Sequence, residues 1–174
     1  QAAGKVEERV GNYTGARQYF SASLCVQPSA PTLVAYAMLE LRHPESGASD
    51  WIKVKQLFDE AILLDPRHGP AYNVYGNAGL RKGDAEEARK VFERGARANC
   101  SDAASIFHGY ASLELSCGNV DRARELLVQG RQKAQLQDLG MDSPHRERAR
   151  FLSHTLGMLE LNSNHPIDAL AVFK

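Results

Sequence analysis

Apolar positions recur at helical spacing along almost the whole chain. Ala16, Tyr19, Phe20, Leu24 and Cys25 fall three and four residues apart, which predicts a helix from about Tyr13 to Val26. Gln27-Pro28-Ser29-Ala30-Pro31 ends it, because proline cannot continue a helix. Leu33, Tyr36, Ala37 and Leu39 make the apolar face of a helix from about Thr32 to Arg42, and residues 43–49 form a loop. Asp50 caps a helix holding Trp51, Val54, Leu57, Phe58, Ala61 and Ile62. The breaker Asp65–Pro70 separates it from a helix over Ala71 to Lys82, with Gly83 as its C-terminal stop. Asp84 caps a helix to about Ala98, and Ala103 to Cys117 is the next. From near Val120 favourable residues continue through Leu136, so this helix outruns its equivalents. After the loop Gly140–Ser143, Pro144 opens a helix to about Leu161. No stretch alternates with the two-residue period of a strand. The expectation is eight helices joined by short loops, with one more from about Ile167 cut off at its second turn.

One phrase repeats. Gly83, four residues, Ala88-Arg89, two more, then Phe92 has copies at Gly11…Ala16-Arg17…Phe20 and Gly118…Ala123-Arg124…Leu127, and a looser one at Asn164…Ala169-Leu170…Phe173. With Val54 as a further copy, the steps are 38, 34, 35 and 46 residues. Two of them match a tetratricopeptide period of about 34 residues. The loop Pro44–Ser49 absorbs the first excess, and the long helix with the loop at 131–143 absorbs the last. The preceding helices also align: Tyr36…Glu40, Tyr75…Gly79, Tyr110…Glu114 and Leu156…Glu160. Residues 1–174 thus form a single array, with repeats near 13–42, 50–82, 84–117, 119–161 and 166–174. One helix pair cannot bury its apolar face alone, so neighbours must stack into a continuous core.

Charge adds little steering. Lys plus Arg and Asp plus Glu number 21 each, so any basic surface must be local. Cys25, Cys100 and Cys117 have no metal spacing and read as thiols in a reducing compartment. No apolar run approaches a bilayer span. The chain opens without Met and stops at Lys174 in mid-repeat, so it is expected to be a fragment of a longer protein.

Candidate chemistry is sparse. His43, His68, His108, His145, His154 and His165 are scattered, no phosphate-binding glycine loop is present, and neither a cofactor nor a metal is expected. Glu40, Glu114 and Glu160 stand a repeat apart, too far for a catalytic carboxylate pair. Each is expected to pair with an Arg such as Arg17 or Arg124 and hold the repeat geometry. The chain is expected to be no enzyme.

The first-helix Glu and the phrase Ala88-Arg89-Lys90-Val91-Phe92-Glu93-Arg94 resemble the half-a-TPR family of helical repeats over nearly the whole chain. Ala71–Asn99 alone resembles an ordinary tetratricopeptide unit. The resemblance implies an all-α, right-handed superhelical solenoid of antiparallel helix pairs, with first helices lining the concave face. It places the outward positions at Val34 and Met38, Asn73 and Asn77, His108 and Ser112, and His154 and Met158. Arg42 and Arg81 lie further along. Asn offers a paired donor and acceptor to a base edge or a peptide backbone. A second candidate is the basic cluster Arg146, Arg148 and Arg150 with Arg131 and Lys133, which could meet phosphates, though Asp138, Asp142 and Glu147 stand among them.

The family implies RNA processing or stabilisation, with single-stranded RNA along the superhelix. Ala37-Met38-Leu39-Glu40-Leu41 and Leu156-Gly157-Met158-Leu159-Glu160-Leu161 resemble its plastid members most, which implies a chloroplast setting ahead of a nuclear one. Nuclear members often pair through their repeats, so a homodimer is open. The alternative is a protein scaffold, favoured by the charge balance. A tetratricopeptide-type peptide adaptor is suggested by Asn73 and Asn77, but Val34 and His108 stand where a basic clamp would want Lys or Arg.

Overall fold

The computed structural model describes residues 1–45, 50–100, 102–136, 144–163, 168–169 and 172. Among these are nine helices: α1 Ala2–Arg9, α2 Tyr13–Val26, α3 Ala30–Arg42, α4 Trp51–Leu64, α5 Gly69–Arg81, α6 Ala85–Arg97, α7 Ala103–Ser116, α8 Val120–Leu136 and α9 Pro144–Asn162. Asp168, Ala169 and Val172 are helical too, and most of the helix expected from Ile167 lies outside the described residues. So do residues 46–49 and 137–143, which include the expected loop Gly140–Ser143.

Two expectations change. Helix α1 has Val6 as its one large apolar residue and the pattern does not predict it, yet it is the first partner of α2. Helices α3 and α5 begin before their prolines: Pro31 and Pro70 sit in the first turn rather than before the helix. A first-turn N–H has no intrahelical acceptor, so proline loses nothing there.

The repeated phrase has a local cause. Gly11, Gly83 and Gly118 take φ of +82, +80 and +81°, the left-handed turn that closes the preceding helix. The next residue starts the following helix. Asn12 Oδ1 accepts from Gly15 N at 3.0 Å and Asp84 Oδ1 from Glu87 N at 3.2 Å, while Asp50 Oδ1 serves Lys53 N at 3.1 Å. Four residues after each of these caps, and after Asn119, comes a completely buried alanine or, in α4, a valine: Ala16, Val54, Ala88 and Ala123.

Helices pair as α1–α2, α3–α4, α5–α6 and α7–α8, and each pair packs on the next. First helices α3, α5, α7 and α9 also touch in sequence, whereas the second helices stand further apart. The array therefore curves toward its first helices. The second-helix aromatic is the keystone of each joint. Phe92 packs against Gly76 of its own repeat and Gly109 of the next, and stacks on Tyr110 with ring centroids 6.0 Å apart. Phe20 on Tyr36 (5.9 Å) and Phe58 on Tyr75 (5.0 Å) repeat the stack. Each of these three Phe is fully buried, which contributes roughly 1.5–3 kcal/mol apiece.

Candidate functional site

The repeat carboxylates are joints. Arg17 Nε lies 3.1 Å from Glu40 Oε1, Arg89 Nε 2.8 Å from Glu114 Oε1 and Arg124 Nε 2.5 Å from Glu160 Oε1. Every pair runs from a second helix to the first helix of the following repeat, as expected. The Arg17 guanidinium also donates to the His43 carbonyl, and Lys53 Nζ reaches Glu40 at 2.7 Å. Burial pushes the Glu40 carboxyl up, but hydrogen bonds from Arg17 and Lys53 outweigh it and leave it below its ordinary value. The Arg89 hydrogen bond holds Glu114 low against the same burial. Where α5 has Gly79 instead of Glu, Lys55 of α4 pairs with Glu87 at 3.4 Å.

The predicted binding positions converge. Asn73, Asn77 and Arg81 of α5, His108 and Ser112 of α7, and Arg148 of α9 line one cleft of about 590 Å³. Arg42 lies beside it in a smaller cleft with Met38, Asn77 and Arg81, which continues to a third along α1 and α3. A groove thus follows the first helices. Asn77 Nδ2 donates to the Asn73 carbonyl oxygen and to Asn73 Oδ1 at 2.7 and 2.8 Å. Among the described residues this leaves the Asn73 side-chain NH₂ and Asn77 Oδ1 without partners. Ser112 Oγ donates to the His108 carbonyl at 2.9 Å. Burial lowers the His108 pKa, so its ring is uncharged at neutral pH.

The groove cations are partly neutralised; Lys5 and Arg9 at its α1 end form no ion pair among the described residues. Arg42 pairs with Glu8 at 2.9 Å, as an ion pair rather than an aligned hydrogen bond, and Arg148 meets Asp102 at 3.4 Å. Arg81 is exposed and, among the described residues, forms no ion pair.

Other expectations scatter. Val34, expected to point outward, lines the cleft along α1 and α3 but is only 6% exposed, packed against the core. His154 and Met158 are exposed on α9 outside the cleft lining. The basic cluster is divided: Lys133 Nζ donates to the Ala96 carbonyl at 2.8 Å and sits over the Phe107 ring, while Arg148 faces the cleft. Arg131 is half-buried on α8, Arg150 is exposed on α9, and the Arg146 side chain lies outside the described residues.

Sequence reasoning missed Phe151, which lies over His108 with ring centroids 4.8 Å apart and stays 55% exposed. It stands one turn before His154 on the same face of α9, so the register held the signal. The leucine after each carboxylate position was missed as well. Leu41 and Leu80 are half-buried, and Leu115 and Leu161 are exposed, at one rung of the four first helices.

Solved structures share the fold. PilF of Pseudomonas aeruginosa superposes with a TM-score of 0.66 at 15% identity, over 98% of this chain and 71% of that one. MamA from Desulfovibrio magneticus RS-1 gives 0.60 at 15% identity, over 98% and 86%. A tetratricopeptide protein of Thermus thermophilus gives 0.57 at 20% identity, over 97% and 84%. The fold is a tetratricopeptide-type helical repeat. At these identities the likeness is one of fold. No family model and no curated protein matches the chain. Among the described residues no helix is long and apolar enough to cross a membrane, and no cluster of His, Cys, Asp or Glu could hold a metal.

Proposed function

We propose that this chain is a non-catalytic protein-interaction scaffold whose first-helix groove holds an extended segment of a partner protein. The observation that carries this reading is the cleft itself. It combines two side-chain amides with an unused donor and acceptor, an uncharged His108, the exposed ring of Phe151 and, among the described residues, one cation outside any ion pair, Arg81. A peptide backbone needs that mixture of hydrogen-bonding and apolar contacts. An RNA track needs rows of available cations, and here the repeat arginines are spent on the buried carboxylates. The expected single-stranded RNA role draws no support from this charge layout.

The test places a photo-crosslinking residue at His108 and, as control, at the exposed Leu63 of α4. Discrete protein adducts from position 108 only, lost when Asn73, Asn77 and Arg81 are all changed to Ala, are expected. Salt-sensitive binding of single-stranded RNA that disappears in the same triple variant would restore the RNA reading. Adducts independent of the triple substitution would sink the groove as the site.

A further inference from the structure

Arg81 is a cation without a counter-charge in the middle of the groove. It is exposed, and among the described residues no acid pairs with it. It lines both the large cleft and the smaller one beside it, so the groove runs on past it in both directions. At the α9 side the sign reverses. Asp102 meets Arg148 at 3.4 Å, which leaves the exposed Glu147 as the charge of that wall. The exposed apolar surface of the cleft, the Phe151 ring over His108, lies on the same side. The groove therefore offers a cation and an aromatic shelf at separate points, with the Asn73–Asn77 pair alongside.

Helix register gives the separation of the two points. Arg81 stands eight residues after Asn73 on α5, about 12 Å along the axis at about 1.5 Å per residue. Asn73 is level with His108, because its Oδ1 lies 3.1 Å from where a Cβ on the adjacent Gly109 would stand. Helices α5 and α7 pack on each other, and packed helices stand about 9 Å apart. The two legs place Arg81 about 15 Å from His108, which is about four to five residues of extended chain at about 3.3–3.6 Å each. Side chains alternate along an extended chain, so two that face one wall are an even number of positions apart. The spacing that fits is four.

We propose that the partner segment carries an acidic side chain at Arg81 and, four positions away, an aromatic or large aliphatic side chain on the Phe151–His108 shelf. This rests on the groove reading above and adds which sequences the groove selects. The backbone between the two anchors meets the free Asn73 NH₂ and Asn77 Oδ1. Glu147 opposes the reverse placement, with the acid on the α9 side, by like-charge repulsion. The acid is a side chain rather than a chain terminus, because the groove continues past Arg81 to Met38 and Arg42 and a terminus would leave that part unfilled.

The probes are random twelve-residue peptides displayed on phage and selected on the folded protein. Selected sequences are then synthesised with capped ends, so that only side-chain carboxylates are present. A photo-crosslinker at Ser112, which lines the cleft and leaves both anchors intact, reports whether a peptide lies in the groove. The expected peptides crosslink there and carry Asp or Glu four positions from Phe, Tyr, Trp or Leu. Arg81→Glu should weaken them at least tenfold with an unchanged melting temperature, since it breaks no ion pair among the described residues. Replacing the peptide's acid by Lys should restore binding to Arg81→Glu, and Phe151→Ala should remove the preference for the apolar anchor. Peptides that crosslink from position 112 and weaken when Asn73 and Asn77 are changed to Ala, but lack the acid or ignore Arg81→Glu, overturn this proposal and leave the groove reading standing. A selection that yields no peptide crosslinking from position 112 overturns both.

Discussion

Changing Phe92 to Ala should break the middle of the array. The side chain is fully buried and wedged between two glycines. A Cβ at Gly76 would come within 2.5 Å of its ring, and one at Gly109 within 2.8 Å, so both backbones approach as closely as the ring allows. Two helices held at that distance by one ring, in a rigid stack, cannot collapse around its loss. The cost should fall in the usual range for a buried Phe truncated to Ala, about 3–5 kcal/mol. For 174 residues, with an unfolding entropy of about 2.1 cal/mol/K per residue, that lowers Tm by about 8–14 °C. Thermal melts followed by circular dichroism would read it. Phe151→Ala is the control: the ring is 55% exposed, and its loss should change stability by about 0.5 kcal/mol or less. Equal shifts for the two variants, or a Phe92→Ala shift of under about 3 °C, would refute the keystone argument.

Three further outcomes follow from the same geometry. Glu114→Gln should cost about 1–3 kcal/mol at neutral pH, because it leaves Arg89 short of its buried acceptor; chemical denaturation checks it. The folded Glu114 pKa is lowered, so its stabilisation is complete above the unfolded value near 4.5 and is lost as pH falls through the lower folded value. The variant should therefore show a shallower acid limb than the wild type in a pH series of melts. Gly83→Ala forces a side chain into φ +80° and should cost about 1–2 kcal/mol, read as a lower denaturation midpoint with an unchanged slope. Gly76→Ala should cost about 1–3 kcal/mol by driving a methyl into Phe92, and Phe92→Leu in the same chain should recover part of it.

Much of this molecule follows from its order of residues. Period, caps and stops are local chemistry, so the helix starts at Asp50 and Asp84 and the stop at Gly83 were legible in advance. The pairing of Glu40, Glu114 and Glu160 with arginines was legible because it recurs with the repeat. That Asn73, Asn77, Arg81, His108 and Ser112 share one face was implied by the resemblance to helical repeats, and the structure places them along one cleft.

What was not legible depends on contacts between distant residues. Helix α1 has Val6 as its one large apolar residue and is held by α2, with Gly4 packed against Phe20. The burial of Val34, the reach of Lys133 to Ala96 and the Arg42–Glu8 pair depend on which helix stands opposite. The charge state of the groove was settled the same way: 21 cations against 21 anions says nothing of which are paired. Local signals fix a helix within a few residues of sequence, but the neutralisation of a surface is decided by side chains brought together from 20 or more positions away, such as Arg89 and Glu114. Only the tertiary stack sets those distances.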